Sequence, residues 1–157
     1  DAARQGAARA GLRRMILLDT NVVSELMRTV PDAAVLAWTK TRAIDELATS
    51  VVTVAEIGAG LACLPAGARR RDLLARWSRL QDEGFGERIF GLDHTAAKMY
   101  GELFAQRQRA GRAAAAFDLL IAAIAHIHGM AVATRNVRDF EDIGVQIINP
   151  WTAAAPS

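Results

Sequence analysis

Four acidic residues stand where apolar runs end or helices begin, and together they have the donor set of a hard divalent cation. Met15 to Leu18 is apolar and ends abruptly in Asp19-Thr20-Asn21. Glu56 opens the helix after a second strand at Leu47 to Val52, Asp118 lies near the start of a strongly apolar helix over Ala113 to His128, and Asp139 follows a strand at Met130 to Thr134. Open parallel sheets bind ligands beyond the carboxyl ends of their strands, so this alternation can bring all four acids to one edge. Two carboxylates ~4 Å apart repel by roughly 4 kcal/mol at an effective dielectric of about 20, so four of them together call for a countercharge. Mg²⁺ prefers oxygen donors, keeps several waters, and is held by one or two carboxylates plus substrate phosphates. Zinc is disfavoured, because the chain has a single cysteine, Cys63, and His126 and His128 are two positions apart and do not share a helix face.

Taken one at a time, most of these residues also have a purely structural reading. Asp19 or Thr20 can cap a helix starting near Val22. Thr53 and Glu56 have capping-box spacing. His126 and His128 complement a helix C-terminus beside Gly129. Gly58 and Gly60 fall inside a helix at the wrong spacing for a dinucleotide fingerprint, and Cys63 reads as a small buried hydrophobe. Asp118 is harder to dismiss. A helix buried nearly all round makes an unpartnered carboxylate costly, so Asp118 needs a partner.

The elements that must position these acids are short and regular. Pro31-Asp32 opens a helix to about Thr41, with Val35, Leu36 and Trp38 inward. Pro65 to about Glu83 is a second such stretch, with Leu73, Leu74, Trp77 and Leu80 inward and Arg69, Arg70, Arg71, Arg76 and Arg79 forming a solvated face. Arg88 to Leu92 is a strand, Asp93 to Ala110 a helix stopped by Gly111, and Val145 to Ile148 the last strand before Asn149-Pro150-Trp151. Strands alternating with helices give an α/β fold with a central, mainly parallel five-stranded sheet.

At 157 residues the chain fits one domain, over residues 15–151, with residues 152–157 as a C-terminal tail. Residues 1–14 read as a disordered N-terminal extension. The sequence pI of about 9.2 belongs to that extension: Arg4, Arg9, Arg13 and Arg14 lie there against Asp1, leaving 15 of the 19 basic and 16 of the 17 acidic residues for the remainder. No uncharged apolar run approaches the ~20 residues of a membrane span, so no membrane association and a cytoplasmic location are expected. A phosphorylation-dependent receiver domain also places acids at strand ends but needs a lysine near its last strands; only Lys40 and Lys98 are present.

Leu18-Asp19-Thr20-Asn21, Thr53-Val54-Ala55-Glu56-Ile57, Ala116-Phe117-Asp118-Leu119-Leu120-Ile121-Ala122-Ala123 and Thr134-Arg135-Asn136-Val137-Arg138-Asp139-Phe140 resemble, in order and spacing, the motifs of PIN-domain ribonucleases. The resemblance spans Met15 to Trp151 and is closest to the VapC and FitB-like toxins of toxin–antitoxin pairs. It implies an endoribonuclease dependent on Mg²⁺, with Mn²⁺ as a substitute. Asp19 and Asp118 would be the principal metal ligands, Glu56 and Asp139 would complete the catalytic acids, and Thr20, Asn21, Thr134 and Asn136 would surround them. Asn136 stands where many PIN domains carry an acid, so the fourth position falls to Asp139 or to a water held by Asn136. Ala113 to Ala116 replaces a stretch that is often more polar or contains proline, which bears on substrate contacts. Because residues beyond the extension are nearly neutral, RNA phosphates must meet local arginines, first Arg112, Arg135 and Arg138, then Arg107 and Arg109. A homodimer neutralised by a cognate antitoxin is implied too, the antitoxin's C-terminal segment covering the acids with a basic side chain. For the dimer, the apolar stretches Val22–Met27 and Val35–Trp38 offer a surface. The rival readings are a PIN-type nuclease in RNA processing or on structured DNA, and a non-cleaving RNA-binding module.

Overall fold

The computed structural model describes residues 2–6 and 15–153; of the expected N-terminal extension, residues 2–6 form one exposed helical turn and the rest lies outside the described residues. Residues 154–157 of the expected tail lie outside them as well. Five strands, β1 (Ile16–Leu18), β2 (Leu47–Ser50), β3 (Ile89–Phe90), β4 (Ala131–Ala133) and β5 (Ile147–Ile148), form one sheet in the order β3-β2-β1-β4-β5. Every pairing is parallel. The helices are α1 (Thr20–Leu26), α2 (Ala33–Lys40), α3 (Val51–Ala62), α4 (Ala68–Arg79), α5 (His94–Arg109), α6 (Ala116–His128) and α7 (Val137–Phe140).

β1 is central, and its three residues show why a parallel strand covered on both faces must be apolar throughout. Leu17 packs with Ala48 and Val132 against α5 and α6, through Ala96, Leu103, Leu119 and Ile121. Its neighbours Ile16 and Leu18 point to the other face, where Val22, Val35, Trp38, Ile57, Leu61 and Trp77 close over them. The two-residue period of a strand thus divides the core into two layers, one on each side of the sheet. Leu17 is fully buried, and truncating it to Ala would cost about 2–5 kcal/mol.

Helix α6 can lie close to the sheet because Ala122, Ala123 and Ala125 bring its backbone inward; all three are fully buried. It ends at Gly129 in the left-handed conformation, φ 66° and ψ 29°. It is not buried all round, however: Phe117 is 51% exposed, and Ala113 to Ala115 precede the helix as irregular chain.

Other local expectations change in the folded chain. Helix α3 starts at Val51, capped by Ser50, whose Oγ accepts from the Thr53 amide at 3.2 Å. Thr53 therefore lies inside the helix, and the capping box with Glu56 does not form. The stretch after Pro65 splits into α4 and a π-helical turn, Leu80–Phe85, and Leu74 is 43% exposed. Cys63 is exposed. Val22, Val23, Met27, Val35 and Trp38, offered above as an oligomer surface, are core residues of the monomer. Among the described residues, no helix is long and apolar enough to cross a membrane.

Candidate active site

The order β3-β2-β1-β4-β5 places the direction reversal between β1 and β4, and the groups following those two strands meet there. Asp19 follows β1. Its amide still donates to the Ala133 carbonyl at 2.9 Å, so the carboxylate is fixed by the sheet ladder and not by a loose loop. Oδ1 accepts from the Thr20 amide at 2.8 Å, and Oδ2 accepts from Thr134 Oγ1 at 2.8 Å and from Asn21 Nδ2 at 3.1 Å. Thr134 follows β4, and its hydroxyl in turn accepts from the Asn136 amide at 3.0 Å. Asn21 Oδ1 accepts from the Arg135 amide at 3.2 Å, tying the two strand ends together a second time.

Burial, with only 2% of the residue exposed, is the largest influence on Asp19 and raises its pKa. The hydrogen bonds from Thr134, Thr20 and Asn21 oppose that rise, while the charge of Glu56 adds to it.

Glu56 reaches the same place from the second turn of α3. Thr20 Oγ1 donates to Glu56 Oε1 at 2.8 Å and lies 3.1 Å from Thr53 Oγ1. A hydroxyl has one proton, so with Thr20 donating to Glu56, Thr53 donates to Thr20. The residue that the sequence offered as Glu56's capping partner instead completes a Thr53–Thr20–Glu56 chain.

Asp118 is in the first turn of α6 and half-buried. Its pKa is pushed up to about 7, first by burial, then by the charge of Asp19, then by hydrogen-bonding and charge contact with Asp139, and last by Glu56. The partner that Asp118 needed is therefore a set of like charges. Asp139, in α7, reaches the site through Asp118 and does not itself line the open cleft of about 700 Å³ formed by Asp19, Thr20, Glu56, Asp118, Asn136 and their neighbours.

All four acids converge, as their spacing predicted, and their oxygens suit a hard cation. Among the described residues, however, no three acidic, histidine or cysteine side chains are grouped so that together they could hold a metal ion, so any ion here rests on fewer side chains and on water. A hydrated ion held by Asp19 and Asp118 fits this donor set, since Mg²⁺ retains water and needs one or two carboxylates.

The PIN-domain family matches this chain over residues 16–146, most of its length and all four acids. The chain belongs to the PIN-domain family. It is 44% identical to a VapC ribonuclease, Y4jK, of Sinorhizobium fredii, over 89% of this chain and the whole of that protein. It is 36% identical to the toxin FitB of Neisseria gonorrhoeae, covering 87% of this chain and 99% of that one. The crystal structure of FitAcB from Neisseria gonorrhoeae superposes with a TM-score of 0.79 at 35% identity, covering 88% of this chain and all of that one. This is a PIN domain of the VapC/FitB-like kind.

In this PIN domain the arginines are distributed differently from the expectation. Arg135 lines the cleft, with its guanidinium 5.0 Å from the ring centre of Trp151. Arg138 is exposed but lies outside the cleft lining, and so does Arg109. Arg112 is committed elsewhere, paired with Glu141 at 3.0 Å and Asp142 at 2.8 Å. Arg107 is buried, and its guanidinium donates to backbone carbonyls. Two arginines dismissed or overlooked in the sequence, Arg69 and Arg28, also line the cleft, Arg28 with its guanidinium 3.4 Å from Glu25 Oε2 and two-thirds exposed. Helical spacing carried a signal for Arg28: Asn21, Ser24 and Arg28 are three and four apart and share the cleft face of the α1 region. No comparable local signal marks Arg69.

Proposed function

We propose that this PIN domain is a Mg²⁺-dependent endoribonuclease acting as the toxin of a toxin–antitoxin pair. The observation that supports it best is Asp118, a carboxyl group held near three others and lifted to a pKa of about 7 by burial and their charges. Such a cluster is poorly suited to a purely structural role and well suited to binding a cation. Asp19 and Asp118 are the residues to hold the ion, with Glu56 and Asp139 completing the acid set. A bound Mg²⁺ supplies polarisation of the phosphate, a nucleophilic hydroxide from water, and stabilisation of the leaving oxygen.

The chain's own groups do the rest. Thr134, Asn21 and the Thr20 amide orient Asp19 and favour its charged form against the burial that raises its pKa, and Thr20 fixes the Glu56 carboxylate. Arg135, Arg69 and Arg28, which line the same cleft as the acids, receive the phosphates of the RNA backbone. Among the described residues, none of the three is paired with one of the four acids, so they give an RNA backbone anchoring points without neutralising the site.

The likeness to a protein named VapC ribonuclease and to one named toxin FitB supports the RNA substrate and the toxin role. In this reading a cognate antitoxin lays a C-terminal segment with a basic side chain over the acid cleft. Homodimerisation stays in the proposal on the family resemblance alone, because the apolar residues first offered for it form the core.

The test is cleavage of RNA by the purified protein in Mg²⁺, Mn²⁺ and excess chelator, alongside Asp19→Asn and Asp118→Asn. Full activity in chelator, or undiminished cleavage by Asp118→Asn, overturns the proposal.

A further inference from the structure

Arg107 is the charged residue that the catalytic scheme leaves unused, and its surroundings are unusual. It is 5% exposed, near the C-terminus of α5, and no carboxylate pairs with it among the described residues. Its Nη2 donates to the carbonyls of Asp139 at 2.8 Å and Glu141 at 2.7 Å, and Nη1 approaches the Arg138 carbonyl at 3.5 Å. Those carbonyls belong to the end of α7, a helix of four residues whose following residue, Glu141, is already extended. A helix this short cannot satisfy its own last carbonyls, and a cation there also complements the helix dipole. The next residue, Asp142, has φ 61°, and its carbonyl accepts from Gln106 Nε2 at 2.8 Å. The segment carrying Asp139 is thus held to α5 by neighbouring side chains, with Arg107 gripping the backbone of Asp139 itself.

We infer that Arg107 is a positioning residue for the acid site: by holding the Asp139 carbonyl it sets the Asp139 carboxylate against Asp118. The guanidinium fork suits this, because its planar donors reach separate carbonyls at once, whereas the ammonium of a lysine is a single point. Arg112 makes a useful contrast. It grips the same segment from outside, but through the side chains of Glu141 and Asp142, beyond the catalytic acid.

The inference rests on the metal-binding reading of the four acids, and calorimetric titration with Mn²⁺ separates the two. Arg107→Lys is expected to weaken Mn²⁺ binding about tenfold in the wild-type background and less than twofold in an Asp139→Asn background, because the effect passes through Asp139. Arg112→Gln is expected to change it less than twofold. Equal weakening by Arg107→Lys in both backgrounds, or equal weakening by Arg112→Gln, overturns the inference and leaves the metal site standing; a wild-type protein that binds no Mn²⁺ removes both. If Arg107→Lys does not fold, wild-type NMR decides: saturating Mg²⁺ is expected to shift the Arg107 guanidinium resonances in wild type and not in Asp139→Asn, and unshifted wild-type resonances overturn the inference.

Discussion

Thr134 Oγ1 donates a 2.8 Å hydrogen bond to Asp19 Oδ2 across 115 positions of sequence, joining the ends of the two central strands at the acid site. Both residues are buried, and this bond is the strongest of those opposing the rise in the Asp19 pKa. Thr134→Val keeps the shape and removes the donor. It is expected to raise the Asp19 pKa further, weaken Mg²⁺ binding and lower cleavage about tenfold, with a stability loss of about 1–3 kcal/mol from the unpaired oxygen. Cleavage and melting of the variant check both; wild-type cleavage would show that Thr134 does not tune the acid.

Asp118 makes the stability of the metal-free protein depend on pH in an uncommon direction. Its folded pKa of about 7 exceeds the ordinary carboxyl value of 3.8, so the folded state binds its proton more tightly than the unfolded state does. The associated stabilisation is fully present below about 3.8 and is lost as pH rises through about 7. Asp19 is shifted in the same direction. In chelator, the contribution of Asp118 is therefore expected to fall between about pH 4 and about pH 7, with that of Asp19 falling in the same direction. Asp118→Asn is expected to flatten this dependence and to melt, metal-free, at or above the wild-type temperature at neutral pH. A destabilised Asp118→Asn protein that still gains the full Mg²⁺ stabilisation would contradict the metal role.

Protons and metal compete for the same oxygens. At subsaturating Mg²⁺, cleavage is expected to rise as pH increases through about 7, where Asp118 loses its proton. Saturating Mg²⁺ should shift that rise to lower pH. A profile with a midpoint independent of Mg²⁺ concentration would separate the titration from metal binding.

The arginines should divide by position. Ala substitution of Arg28, Arg69 or Arg135, each lining the cleft, is expected to raise KM for RNA and to reduce the salt dependence of binding by about one phosphate contact. Arg112→Ala should leave cleavage of RNA nearly unchanged, because its guanidinium already faces Glu141 and Asp142. Salt titrations of RNA binding with an inactive Asp118→Asn background give the comparison.

The sheet and the four acids were legible because both depend on local rules. A three-residue apolar run ending in Asp19 reads as a buried strand that delivers a carboxylate, and the uniform apolarity of α6 makes Asp118 conspicuous. The arginines were not legible in the same way. Arg107 and Arg109 are two positions apart on one helix, yet one is buried against backbone carbonyls and the other is exposed. Only the placement of α7 against α5 distinguishes them. The apolar residues of α1 and α2 were equally ambiguous, since a core and an oligomer surface have the same composition. The Thr53–Glu56 spacing satisfied a capping rule, but Ser50 supplied the cap three residues earlier.

The central place of β1 also governs when, during synthesis, the site can exist. Its two neighbours in the sheet are β2 on one side and β4, more than a hundred residues later, on the other. A growing chain that has reached residue 115 already carries Asp19 and Glu56 but neither Asp118 nor the strand that brings Thr134 to Asp19. Long-range parallel pairing of this kind is slow to form. A chain that stops short of Asp139 therefore lacks part of the acid set, so the site is assembled only after the strand β4 and the helix α7 have been made.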